Sequence, residues 1–203
     1  MRRGSQGAME QEHLLSIFRD SGALLEGHFQ LTSGLHSDRY FQCARVLQYP
    51  HYAELLCGEL AQRFRPAGID VVVAPALGGI VVGQEVGRQL RARTIFAERK
   101  EGVMQLRRGF QITPGESVLV CEDVVTTGGS VSEVIALARQ AGGKLVGVAF
   151  IVDRSGGKVQ FAMDPGGVQF SLMAMDVVAY APADCPLCAK GIPVVKPGSR
   201  GNT

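Results

Sequence analysis

The sequence predicts an α/β fold, with a central parallel sheet flanked by helices and a small N-terminal hood. Three observations carry that prediction. Apolar, β-branched runs at 70–74, 118–121 and 144–153 read as strands buried on both faces. Segments with helical spacing separate them, an alternation that calls for crossover connections and a parallel sheet. A glycine- and hydroxyl-rich turn, Thr126-Thr127-Gly128-Gly129-Ser130, follows the second of these strands, where open α/β sheets bind their ligands.

Composition narrows the class. The chain has 203 residues, one domain of ordinary size with room for a sizeable core. Hydrophobic residues at 46% and charged residues at 20% describe a globular chain rather than a disordered one. A net charge of +2 makes no case for a nucleic-acid or membrane partner. No apolar run reaches the length of a membrane span and no secretory core opens the chain, so a cytoplasmic protein is expected. Five scattered cysteines, an odd number, argue against a disulfide framework.

The elements follow in order. Residues 1–10 read as a disordered leader, 11–193 as a single domain, and 194–203 as a loose tail. Within the domain the hood comes mainly from 11–45 plus late strands, and the core from about 50–180. Leu14, Leu15, Ile17, Phe18 and Leu24 have helical spacing and predict a first helix over 12–25. Residues 27–42 predict a β-hairpin, with Phe29, Leu31, Tyr40 and Phe41 strand-like and His28 and His36 as solvated turn histidines. A second helix spans 49–65, with Leu55, Leu56, Leu60 and Phe64 on its core face.

Strand 70–74 then runs through Pro75-Ala76-Leu77-Gly78-Gly79-Ile80 into a helix over 81–90, and the glycines make this a second candidate anion loop. A short strand at 94–97 ends in a polar segment, 98–110, basic at both ends. It reads either as a solvated hairpin or as a mobile lid carrying cations to a polyanion. After the central strand and a helix over 131–141, strand 144–153 ends in Asp153-Arg154. That pair is either a strand-end ion pair or an arginine placed to meet a ligand carboxylate. Late strands are expected at 159–163 and 169–173, and 173–180 completes the sheet or returns to the hood. Cys185 and Cys188 form a C-x-x-C with no second cysteine pair and no histidine nearby in sequence, and they open no βαβ unit. Structural thiols or a labile disulfide are expected there.

The chemistry concentrates in Glu122-Asp123-Val124-Val125-Thr126-Thr127-Gly128-Gly129-Ser130. Glycines let backbone approach an anion, helix-start N–H groups cradle a phosphate, and the hydroxyls add donors. Two carboxylates just ahead of that cradle suit a sugar diol, so the loop fits a ribose 5-phosphate. The lysine of a P-loop is missing.

With the strand before it, this run resembles the 5-phosphoribosyl-1-pyrophosphate (PRPP) motif of type I phosphoribosyltransferases. The hood segment, Phe29, Leu31, Ser33 and Gly34 followed by Ser37, Tyr40 and Phe41, resembles that of the orotate phosphoribosyltransferases. So does Asp153-Arg154. The resemblance covers 11–193 and implies the type I phosphoribosyltransferase fold and Mg²⁺-dependent transfer of ribose 5-phosphate from PRPP to orotate. It implies that Glu122 and Asp123 hold the ribose, that residues 124–130 hold the 5-phosphate, and that Leu77, Gly78 and Gly79 form the pyrophosphate loop. Arg154, Thr126 and the backbone at Tyr40 and Phe41 would bind orotate. Arg99 and Lys100 would serve catalysis with Asp123, from a lid shared across a homodimer.

Several positions depart from the family pattern. Thr32 and Gly78 stand where relatives carry lysines, and the lid lacks the usual lysine and histidine, leaving Arg107 or Arg108 to substitute. No metal ligands are expected from protein side chains, because magnesium would ride on the substrate. Two other readings remain: a phosphoribosyltransferase for another base, purine or uracil, and a PRPP-sensing regulator without catalysis.

Overall fold

The computed structural model describes residues 9–31, 33–175 and 178–197. The leader at 1–8, Thr32 and the end of the tail at 198–203 lie outside the described residues. The chain opens with helix α1 (Gln11–Asp20) and an antiparallel hairpin of β1 (Leu24–Gln30) and β2 (His36–Phe41). The first helix is shorter than expected. Gly22, at φ 67°, turns the chain out of it, and Leu24 starts the hairpin instead.

Two helices follow, the short α2 (Ala44–Leu47) and α3 (Pro50–Phe64), whose proline occupies the first turn, where no N–H partner is required. The buried stripe of α3 is Ala53, Leu56, Cys57, Leu60, Ala61 and Phe64, a spacing of three and four. Leu55 falls off that stripe and is 41% exposed, contrary to the core role expected of it.

The core sheet contains β3 (Val71–Pro75), β4 (Arg93–Lys100), β5 (Val103–Leu106), β6 (Ser117–Val125), β7 (Lys144–Asp153) and β8 (Val168–Ala174). Their spatial order is β5-β4-β3-β6-β7-β8, parallel throughout except for β5 against β4. Helix α4 (Gly78–Leu90) joins β3 to β4, and α5 (Gly129–Gln140) joins β6 to β7. The chain thus leaves β3 toward one edge and β6 toward the other, so the topological switch point lies between these two neighbouring strands. Their C-terminal ends carry the two candidate anion loops.

Alternate residues of each strand feed opposite faces. Val72, Leu119 and Ile151 pack with Phe18, Leu56, Leu60 and Val82 on one side. Val71, Val73, Val118, Val120 and Phe150 pack with Val134 and Ile135 of α5 on the other. Glycine sets how closely α4 lies on the sheet. A Cβ at Gly83 would stand 2.9 Å from the Ala74 Cβ, and one at Gly87 would run into the Thr94 hydroxyl.

Residues 159–163 do not form the strand expected of them. The Gln169 side chain replaces the ladder there, accepting from the Phe161 N–H at 3.0 Å and donating to the Val159 carbonyl at 2.8 Å. Beyond β8 the chain returns to the hood. Tyr180 and His36 exchange two backbone hydrogen bonds of 2.8 Å. After the short helix α6 (Pro186–Ala189), the Val195 N–H donates to the His28 carbonyl and the Gln30 N–H to the Val195 carbonyl, both at 2.8 Å. Within the tail expected to be loose from 194, Val195 therefore forms a parallel rung on β1.

Candidate active site

Strand β6 delivers the two carboxylates and then the loop. A cavity of about 170 Å³ is lined by Glu122 and residues 124–131. Gly128 makes the turn into α5 at φ 76°, a left-handed conformation that suits glycine. Space demands glycine as well, since a Cβ there would stand 2.7 Å from Val159 Cγ1 and 2.9 Å from the Phe161 ring. Thr126 and Thr127 are exposed beside this turn, and the first N–H groups of α5 lie at the same end of the helix. The arrangement is a ready site for a dianionic phosphate.

The pyrophosphate loop expected at Leu77, Gly78 and Gly79 is directly across from the carboxylates. A Cβ at Gly79 would be 2.8 Å from Glu122 Oε1, and one at Gly78 would collide with the Asp123 carboxylate. Any side chain at 78 must therefore displace Asp123, which gives the missing lysine a local cause. Leu77 projects outward, 82% exposed, next to a cis peptide at Ala76-Leu77.

Glu122 is buried. Burial first, and the neighbouring Asp123 charge second, hold its carboxyl pKa well above the ordinary range. A carboxyl held toward its neutral form can donate to a sugar hydroxyl as well as accept from one, and it is a poor ligand for a hard cation. The pair is fixed locally by backbone donors: the Asp123 N–H reaches Glu122 Oε1 at 3.0 Å and the Val124 N–H reaches Asp123 Oδ1 at 2.8 Å.

Arg154 stands beside this loop because its N–H donates to the Val125 carbonyl at 2.8 Å, continuing the β6–β7 ladder. It does not pair with Asp153. That carboxylate is spent on the following turn, accepting from the Ser155 N–H at 2.8 Å, the Ser155 hydroxyl at 2.6 Å and the Gly157 N–H at 3.0 Å. Arg154 Nε is buried without a hydrogen-bond partner, and burial pulls the guanidinium pKa down, with Tyr40 opposing more weakly. A half-buried cation whose Nε donor is buried and unmet is an open position for an anion. Of the hood aromatics, Tyr40 faces Phe29 at 5.9 Å, while Phe41 is buried edge-on against Phe18 at 4.9 Å. Only the Phe41 backbone is left to meet a ligand.

The segment read as hairpin or lid is a hairpin through Leu106, with Arg99 opposite Met104 and Lys100 opposite Val103. Arg99 bridges to Glu133 of α5 at 2.8 Å. Arg107 and Arg108 both reach Glu98, at 3.3 and 3.2 Å, while Lys100 makes no ion pair among the described residues. Glu133 was not singled out in the sequence, since its importance depends on a contact 34 positions away. His28 and His36 were misread as solvated; both are buried. Their only signal was that they flank the hairpin turn.

A parallel sheet whose switch point holds a phosphate cradle, facing carboxylates and a glycine loop defines the phosphoribosyltransferase class. The family model of the phosphoribosyl transferase domain matches residues 51–165. Curated relatives extend further along the chain. An orotate phosphoribosyltransferase of Chlorobaculum parvum is 60% identical over 194 residues, covering 96% of this chain and 98% of the relative. One of Pelotomaculum thermopropionicum is 58% identical over 192 residues, covering 95% and 99%. The chain belongs to the orotate phosphoribosyltransferase family. In fold it is similar to the solved orotate phosphoribosyltransferase of Aeropyrum pernix, with a TM-score of 0.65 at 24% identity over 80% of this chain and 93% of that one.

Proposed function

We propose that this chain transfers ribose 5-phosphate from PRPP to N1 of orotate, giving orotidine 5′-monophosphate and pyrophosphate in de novo pyrimidine synthesis. The observation that carries the choice of base is Arg154, a half-buried guanidinium whose Nε is buried with an unmet donor beside the phosphate loop. Orotate bears a carboxylate that can take that donor. Purines and uracil bear none.

The residues then take roles that follow from their chemistry. Residues 124–130 hold the 5-phosphate, and Glu122 and Asp123 hold the ribose hydroxyls. Leu77, Gly78 and Gly79 hold the pyrophosphate through backbone. Arg154, Thr126 and the backbone at Tyr40 and Phe41 hold orotate. As the N1–C1′ bond forms and the C1′–O bond to pyrophosphate breaks, N1 of orotate gives up its proton, which the departing pyrophosphate, itself a base, can accept. Positive charge grows on the ribose ring and negative charge on the departing pyrophosphate, and catalysis consists of positioning and electrostatic stabilisation. Arg99 and Lys100, with Arg107 or Arg108, supply cations to that leaving group, and Asp123 steadies the ribose.

Mg²⁺ bound through pyrophosphate oxygens would supply further charge neutralisation. Such a metal would be carried by the substrate, since magnesium keeps several of its waters and binds substrate phosphates rather than a dedicated protein cage. We assign the working form to a homodimer that shares the lid, as the family resemblance implies. No helix among the described residues is long and apolar enough to cross a membrane. We place the enzyme in the cytoplasm, where its phosphorylated substrate is retained by its charge.

The test follows the loss of orotate absorbance with PRPP and Mg²⁺, for the parent and for Arg154→Ala. The parent turns over, and the variant loses about 10- to 150-fold in kcat/KM, the worth of a hydrogen bond to a charged group at 1.5–3 kcal/mol. Equal turnover by both would remove Arg154 from the site. No turnover with orotate but turnover with another base would overturn the substrate.

A further inference from the structure

The C-x-x-C of the tail has partners after all. His28 of β1, His36 of β2, and Cys185 and Cys188 around α6 bring their ligand atoms within 4.8 Å of one another. The expectation that no histidine completes the pair fails because the missing ligands lie in the N-terminal hairpin, over 140 positions earlier, and only the tail's return to the hood joins them. We propose that these four side chains form a tetrahedral zinc site that fastens the tail to the hood, away from the residues that bind PRPP and orotate.

The geometry supports this in three ways. Zinc bonds of about 2.0–2.1 Å to nitrogen and 2.3 Å to sulfur imply tetrahedron edges of about 3.3 Å for N···N and about 3.6 Å for N···S. The observed edges are 2.9 Å between His28 Nε2 and His36 Nδ1, and 3.5, 3.7 and 3.2 Å for three nitrogen–sulfur pairs. To admit the ion, the short edges open by a few tenths of an ångström and the remaining edges, which reach up to 4.8 Å, draw in around it.

The second support is the outer shell. His28 Nδ1 lies 2.7 Å from the Ile192 carbonyl, which can only accept. The proton is therefore on Nδ1, and the lone pair of Nε2 is aimed into the cluster, as in a zinc-bound histidine oriented by a backbone carbonyl. The third is burial. His28, His36 and Cys185 are buried, and their ligand atoms converge with that of Cys188 on one point. Two thiolates balance the charge of Zn²⁺, so the loaded site is neutral and burial carries little penalty. Binding releases the two thiol protons. Nitrogen–sulfur ligation in a closed tetrahedron suits zinc over magnesium or calcium.

The experiment measures zinc in the full chain purified under reducing conditions without chelator, beside Cys188→Ser and His36→Gln. About one zinc per chain is expected in the parent, and a loss of most of it in both variants. Replacement by cobalt(II) should give the visible bands of a tetrahedral site with thiolate charge transfer, absent in Cys188→Ser. Orotate turnover by the same preparations shows whether each variant is folded. A reduced parent that takes up neither metal would overturn the proposal. So would metal uptake that both variants retain, or a Cys185–Cys188 disulfide that persists under reducing conditions.

Discussion

Glu122 and Gly128 are the residues at which small chemical changes should be read most clearly. Burial raises the Glu122 pKa in the fold above its unfolded value. The folded chain then keeps a proton that the unfolded chain releases, so the stability linked to this group is present below the ordinary carboxylate range and is lost as pH rises. Thermal melts of the ligand-free protein from about pH 5 to about pH 8 should fall less steeply for Glu122→Gln than for the parent. Identical slopes would dismiss the buried acid as their source. Gly128→Ala puts a methyl against Val159 and Phe161 in a left-handed turn, and should cost about 1–3 kcal/mol. Denaturant titration checks the stability, and a raised KM for PRPP checks the phosphate cradle.

Among the elements, the hood and the strands were legible to different degrees. Strand β7 matches its expected bounds, 144–153, because a run buried on both faces carries its own signal. The turn from β6 into α5 at Gly128 was equally plain, since its glycine and hydroxyl signals are local. Residues 159–163 misled because the side chain of Gln169 supplies the partners that a neighbouring strand would have offered. The His–Cys cluster was invisible for a related reason: hairpin and tail meet only in three dimensions. That meeting predicts an element-level effect. Cys188→Ser should lower the melting temperature and raise KM for orotate several-fold while leaving KM for PRPP nearly unchanged, because the hood carries Tyr40 but not the phosphate loop. Equal shifts in both constants would count against the hood as a separate unit.

At the scale of the whole molecule, the proposed homodimer raises the question of which subunit the β4–β5 hairpin would serve as a lid. Two variants, Arg99→Ala and Arg154→Ala, should each lose at least about nine-tenths of the activity alone. Mixed under conditions that exchange subunits, they should recover about a quarter of the parent activity, since half of the dimers are hybrids and each hybrid has one intact site. No recovery, with exchange shown independently, would confine the lid to its own chain.

The ion pair between Arg99 and Glu133 changes how that lid should respond to its surroundings. Arg99 already pairs with a carboxylate of its own chain, so in the proposed role meeting a phosphate would swap one anion for another rather than capture a bare cation. An exchange of this kind is driven by the difference between two partners. Added salt weakens both sides of it, and substrate affinity should decline less with ionic strength than the charge on the substrate alone implies.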